Sequence, residues 1–142
     1  MVEPSDNLQA VFEKAIDTAK KLHHEYLTIE HLLFAMLAED SFFNCVKGFG
    51  ANPDAIKKGL SDYLQNKCSE ITIADVVVKP KKTQSVERVL NRAFTQVLFN
   101  GRQRIEPTDV FLAMMSEKRS YAFYYIAPVS YTHLTLPTIY SV

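Results

Sequence analysis

His23, His24, Glu25, Glu30 and His31 fall within nine consecutive positions, the densest run of ionisable side chains in the chain. Three kinds of chemistry use such residues: imidazoles and carboxylates can hold a metal, trade protons, or present charge to a partner. The spacing disfavours the first. In H-E-x-x-H, a helix aligns both imidazoles on one face with the carboxylate between them. Here His24-Glu25 is followed by a histidine only at His31, so one helix face cannot present both rings. His24 and His31 remain as weak metal candidates, because a loop can still bring imidazole near carboxylate. An acid–base reading lacks a partner: Glu25 and Glu30 are five apart, one on a loop and one in a helical first turn. Nor does the spacing mark any Ser, Cys or Lys as a nucleophile with its own general base. A metal-dependent hydrolase or metal-controlled switch centred on His24, Glu25 and His31 is therefore the alternative to a docking surface. In the plainest reading, Glu30 serves its own helix terminus, Glu25 is solvated and His31 is half-buried packing.

The elements that position this cluster are helical. Leu8, Val11, Phe12, Ala15, Ile16, Ala19 and Leu22 recur at steps of three and four, with polar residues between them, and Asn7 is the expected N-cap. The cluster follows as a polar loop, with Thr28 capping a second helix that carries Ile29, Leu32, Leu33, Met36 and Leu37. Glu30 then lies in its first turn, where unpaired amides favour negative charge. A short helix is expected over Ser41–Lys47, ending at Gly48 and Gly50. Asn52-Pro53 opens another, with Ile56, Leu60, Tyr63 and Leu64 on its buried face. Between Ser69 and Gln84 the period breaks. Ile71–Ile73 and Val76–Val78 suggest a short extended segment, and Lys79-Pro80-Lys81-Lys82 a solvated linker. Helical spacing resumes at Val86, Val89, Leu90, Ala93, Phe94 and Val97 behind Ser85 as expected cap. A polar turn leads to Glu106-Pro107 and the run Val110–Met115, and Tyr121–Ile126 starts a further helix.

The two helical runs are copies. Ala15 matches Ala93, Ala35 matches Ala113, Met36 matches Met114 and Glu39 matches Glu117, all at an offset of 78 (93 − 15, 113 − 35). The same offset matches the expected caps, the loop length and the apolar phase, and it places Ile29 on Pro107. This predicts an all-α fold built from two pseudo-twofold helical repeats. Repeat 1 covers about 7–68, the linker 69–84, and an incomplete repeat 2 about 85–127, within one domain over 1–127. In the second copy Thr108 and Asp109 replace Glu30 and His31. The helix–loop–helix is thus a scaffold, and the ionisable cluster is one copy's specialisation.

Composition narrows the class. With 142 residues, 47% hydrophobic and 23% charged, the chain can bury one core. A formal net charge of zero argues against nucleic acid or an anionic membrane as partner. Cys45 and Cys68 lack metal-ligand spacing and are expected to pack as small apolar side chains in a reducing compartment. No run is long enough to span a bilayer, and no basic-then-apolar leader opens the chain, so a cytoplasmic location is expected. From Pro128 to Val142 there is no Lys, Arg, Asp or Glu. The run Val129–Thr138 resembles the in-frame translation of a sequencing-library adaptor. We therefore expect residues 128–142 to be a non-native tail; a genuine Thr-rich strand is the alternative.

The stretch His23-His24-Glu25-Tyr26-Leu27-Thr28-Ile29-Glu30-His31-Leu32-Leu33, with its degraded copy Gly101–Met115, resembles the N-terminal domain of the Clp ATPases, most of all the ClpA type. The resemblance runs from about Leu8 to Ile126. It departs at His23, where arginine is usual. It implies an all-α double repeat that docks adaptors and substrates for an ATP-dependent unfoldase. The implied partners are a ClpS-like adaptor, protein substrates and, through absent ring domains, a ClpP-type peptidase. The implied adaptor-binding residues are Glu25, Glu30, Thr83 and Arg88. No G-x-x-x-x-G-K-[ST] occurs, so this fragment is expected to be no enzyme and to need no cofactor; ATP and Mg would belong to the parent. With the last helix missing, Val110, Phe111 and Met114 are expected to be under-covered.

Overall fold

In the computed structural model, residues 1–48, 51–66, 72–73, 79–120 and 122–123 are described. The expected tail at 128–142, Val76–Val78, Gly50, Cys68 and most of the Tyr121–Ile126 segment lie outside them. Helix α1 (Asp6–Lys21) packs against α2 (Ile29–Leu37), which α3 (Asp40–Gly48) and α4 (Pro53–Asn66) cover. The second unit repeats the first pair as α5 (Gln84–Phe99) on α6 (Pro107–Met114). The fold is mostly helical, as the all-α double repeat read from the sequence leads one to expect, with four two-residue strands added. The repeat offset holds to the residue: α1 and α5 start and end at equivalent positions, and α2 and α6 start at equivalent positions.

Buried Leu8, Val11, Ala15 and Ala19 make the stripe of α1, as Val86, Val89, Ala93 and Val97 make that of α5. In α2 nearly every residue is buried, Glu30 and His31 included. That is the pattern of a helix enclosed on all sides. Met36 and Met114 are both fully buried, at matching places in the core.

The caps differ from expectation. Ser5, not Asn7, caps α1, accepting from the Leu8 amide at 3.1 Å; Thr83, not Ser85, caps α5, accepting from the Val86 amide at 3.2 Å. Ser5 and Thr83 have extended backbone, whereas Asn7 and Ser85 already lie inside the first turn. Because both caps move by the same step, the repeat is unaffected.

Short strands tie the units together. Strand β1 (Glu3–Pro4) pairs in parallel with β4 (Arg104–Ile105), and β2 (Tyr26–Leu27) with β3 (Lys81–Lys82). Each unit's lead-in strand therefore binds the other unit's loop. The bonds repeat too: the Glu3 amide donates to Gln103 at 3.0 Å as Lys81 donates to Glu25 at 2.9 Å, and Ser5 donates to Ile105 at 2.9 Å as Thr83 donates to Leu27 at 3.1 Å. The lysine-rich stretch is thus only partly a solvated linker. Its side chains at 81 and 82 are exposed, but its backbone is a strand. Of the expected extended segment, Thr72 forms a β-bridge with His24.

Three more expectations need correcting. Cys45 is exposed, because the buried stripe of α3 is Phe42 and Val46 and Cys45 falls beside it. Tyr63 is only half-buried, at the edge of the α4 face. Val110, Phe111 and Met114 are 1%, 8% and 0% exposed. Phe111 meets Phe42 edge-on, with centroids 5.2 Å apart, so the first unit covers it. Among the described residues the exposed large apolar side chains are instead Met1, Phe94, Leu98, Phe99 and Leu112. In the first unit, Phe34 occupies the position of Leu112, and Lys57 of α4 lies over its ring at 5.9 Å.

Candidate docking cleft and the buried histidine pair

The ionisable cluster divides on folding. Helix α1 ends at Lys21 with Leu22 as its C-cap, and the chain turns through His23 in the left-handed region, φ 58°. The equivalent residue of the second unit is Gly101, φ +71°. Both turn the loop back towards the next helix, and glycine adopts that conformation at least cost. The turn carries His24 inward, to 1% exposure, against His31 at 0%.

The two rings meet edge-on, with His24 Nδ1 2.8 Å from His31 Nε2. The Thr28 amide donates to His31 Nδ1 at 2.9 Å. An amide cannot accept, so His31 is neutral with its proton on Nε2. It donates that proton to His24 Nδ1, which leaves the proton of His24 on Nε2. The His24 ring also hydrogen-bonds the backbone of Leu64 in α4. Burial, and then the neighbouring His24, push the His31 pKa down to about 3. Burial also lowers that of His24, partly offset by the Leu64 bond. The pair is a neutral strut from the α2 cap to α4. His31 is fully buried, not half-buried. Both ring nitrogens of His31 and the Nδ1 of His24 are spent on protein partners, which disfavours metal ligation by the pair. Among the described residues no three His, Cys, Asp or Glu side chains gather as a metal site.

Glu30 points another way. It is 6% exposed, and its Oε2 accepts from the amide of Ala122, in the second unit, at 2.9 Å. Glu25 is half-buried, and its carbonyl holds the Lys81 amide. Thr83 caps α5. One turn on, exposed Arg88 grips Glu117 through both oxygens, Nε to Oε2 at 3.2 Å and a terminal nitrogen to Oε1 at 2.7 Å, and also bonds Ser85 Oγ at 3.0 Å. That pairing lowers the Glu117 pKa and raises that of Arg88.

These groups surround one cleft of about 620 Å³ at the junction of the units. Glu30, Thr83 and Arg88 line it, and Glu25 does not. Tyr63 and the turn Ser116–Ser120 complete the wall. Glu117, Lys118 and Arg119 of that turn were not singled out from the sequence. Only the match of Glu117 to Glu39 marked any of them, and Arg88 and Glu117 are too far apart in the chain for spacing to pair them.

A family model described as the Clp repeat (R) N-terminal domain matches residues 3–128. The chain is 27% identical over 122 residues to a ClpA homolog protein of Fuscovulum blasticum, covering 86% of this chain and 15% of that protein. It is 29% identical over 117 residues to the chaperone protein ClpB of Chlamydia pneumoniae, covering 81% of this chain and 13% of that protein. The fold is similar to that of a ClpV N-domain solved in complex with a VipB peptide, with TM-score 0.71, 15% identity, and coverage of 92% of this chain and 81% of that one. Among the described residues no helix is long and apolar enough to cross a membrane.

Proposed function

The chain belongs to the Clp repeat N-terminal domain family, and we propose that it docks partner proteins for a ClpA-like, ATP-dependent unfoldase in the cytoplasm. The observation that carries this reading is convergence. Glu30, Thr83 and Arg88, distant in sequence, come to one cleft between the units. The similar ClpV N-domain binds a peptide, which supports protein docking as the activity of the fold. In this reading a ClpS-like adaptor, and through it protein substrates, engages the cleft. Arg88 presents a guanidinium held rigid by Glu117. Thr83 fixes the start of α5. Glu30 acts from the cleft wall by holding the Ala122 backbone in place, and Glu25 adds negative charge from the loop that carries β2. Unfolding of substrates and delivery to a ClpP-type peptidase would be the work of ring domains using ATP and Mg. The fragment itself performs no reaction in this reading.

Titration with a ClpS-like adaptor tests the proposal. Saturable binding is expected, weakened about tenfold or more by Arg88→Glu or by Glu25→Lys, since charge reversal at an interface removes one attraction and adds a repulsion. Unchanged affinity in both folded variants would contradict the placement of the site.

A further inference from the structure

The cleft contains three cations, Arg88, Lys118 and Arg119, and two anions, Glu30 and Glu117. They are not equally available. Glu117 is spent on Arg88, which satisfies both its oxygens, and Glu30 is buried and spends one oxygen on the Ala122 amide. Lys118 and Arg119 are exposed and enter none of the ion pairs among the described residues. The charge that the cleft offers to an incoming group is therefore positive. This is a property of the second unit alone, since the equivalent positions of the first hold Asp40 and Ser41.

The turn that carries these cations is braced on both sides. Arg88 anchors Glu117. Ser120 donates to the Glu117 carbonyl through its amide at 3.0 Å and its Oγ at 2.8 Å, and Ser120 Oγ accepts from the Phe123 amide at 3.1 Å. A braced turn presents its side chains with little ordering left to do on binding. The hydroxyls of Thr83 and Ser116 also line the cleft, as further hydrogen-bonding groups for an extended chain.

We infer that the cleft receives a carboxylate-rich peptide segment of the docked protein, held by Lys118 and Arg119. The inference rests on the docking reading and adds to it the charge of the ligand. Nucleic acid fits less well, because two free cations on a chain of zero net charge make no basic stripe. A small anion gains little from exposed cations, which water screens, whereas a peptide makes several contacts along the cleft.

The test is fluorescence anisotropy with a labelled glutamate-rich peptide, alongside versions with glutamine or lysine at the same positions. The intact chain should bind the glutamate peptide about tenfold or more tightly than the glutamine version, and the preference should fade as salt rises. Lys118→Glu combined with Arg119→Glu should abolish the preference while circular dichroism stays unchanged. Equal binding of the glutamate and glutamine peptides overturns the inference, as does a preference that survives the double substitution or is erased by equimolar inorganic phosphate. An adaptor titration run in parallel separates the two levels. Adaptor binding without acidic preference leaves docking standing and removes the inference. Acidic preference without adaptor binding supports the inference and counts against the adaptor alone.

Discussion

In the first unit, the loop entering α2 is closed by two neutral histidines, His24 and His31, buried beneath α4. In the second unit the equivalent residues are Arg102 and Asp109, and they close the loop entering α6 with an ion pair whose side chains are 44% and 11% exposed. The backbone demand is the same in both. The amide of the N-cap residue needs an acceptor three residues on: Thr28 finds His31 Nδ1 at 2.9 Å and Glu106 finds Asp109 Oδ2 at 2.8 Å. What differs is the cover. Beneath a helix, an ion pair would lose much of its hydration, and a satisfied neutral pair avoids that cost. Nearer the surface, with the arginine 44% exposed, the ion pair stays partly hydrated and the cost is smaller. The scaffold specifies an acceptor, and burial selects its charge.

Removing each acceptor should expose the difference. His31→Ala is expected to cost about 3 kcal/mol, from a buried cavity and an unsatisfied Thr28 amide. Asp109→Ala should cost about 1 kcal/mol, as the loss of a part-buried cap bond and of an ion pair open to solvent on its arginine side. Urea unfolding of both variants measures this, and equal losses would break the contrast.

Acid should single out the first unit. The folded pKa of His31, about 3, lies below its ordinary value of 6.5, so the unfolded chain binds more protons between those two values. The stabilisation is fully present above pH 6.5 and is lost as pH falls, by about 2 kcal/mol between pH 7 and pH 5. His31→Gln keeps an acceptor for Thr28 and removes the titrating group. Its stability should change less over the same range, and an unaltered pH dependence would count against the histidine strut.

Smaller effects are expected at the turns and the surface. Gly101→Ala should cost about 1 kcal/mol, from the backbone alone, since nothing beyond its two chain neighbours lies within 4 Å of the added methyl group. His23→Gly should stay within about 0.5 kcal/mol, because relief of the left-handed backbone is offset by the freer unfolded chain. Thermal midpoints of the two variants compare the turns. Phe99, 84% exposed beside Leu98, should promote association; Phe99→Lys should reduce it in sedimentation at high concentration, with stability unchanged within about 0.5 kcal/mol.

Long, regular periods made the helices and the repeat legible in the sequence. Leu8 to Leu22 and Val86 to Val97 carry enough apolar positions to fix type, phase and offset. The caps were less legible, because Ser5 and Asn7, like Thr83 and Ser85, are all good N-cap types within one turn. The cross-paired strands left no trace, as two residues cannot show an alternation. The cleft was partly legible. Glu30, Thr83 and Arg88 came from family resemblance, whereas the Glu30–Ala122 and Arg88–Glu117 bonds arise only when the units dock. The histidine pair was seen as residues but not as a pair, since nothing in a seven-residue separation across a loop requires contact.

The central claim is that the partner docks at the junction between the units together with the Glu25 loop, and not at the loop that enters α6. Calorimetric titration of a ClpS-like adaptor against two charge reversals tests it most directly. Arg88→Glu, at the cleft, should weaken binding about tenfold or more, while Arg102→Glu, at an ion pair outside the cleft lining, should leave it within about twofold. Equal effects of the two reversals, or a larger effect at Arg102, would contradict the account.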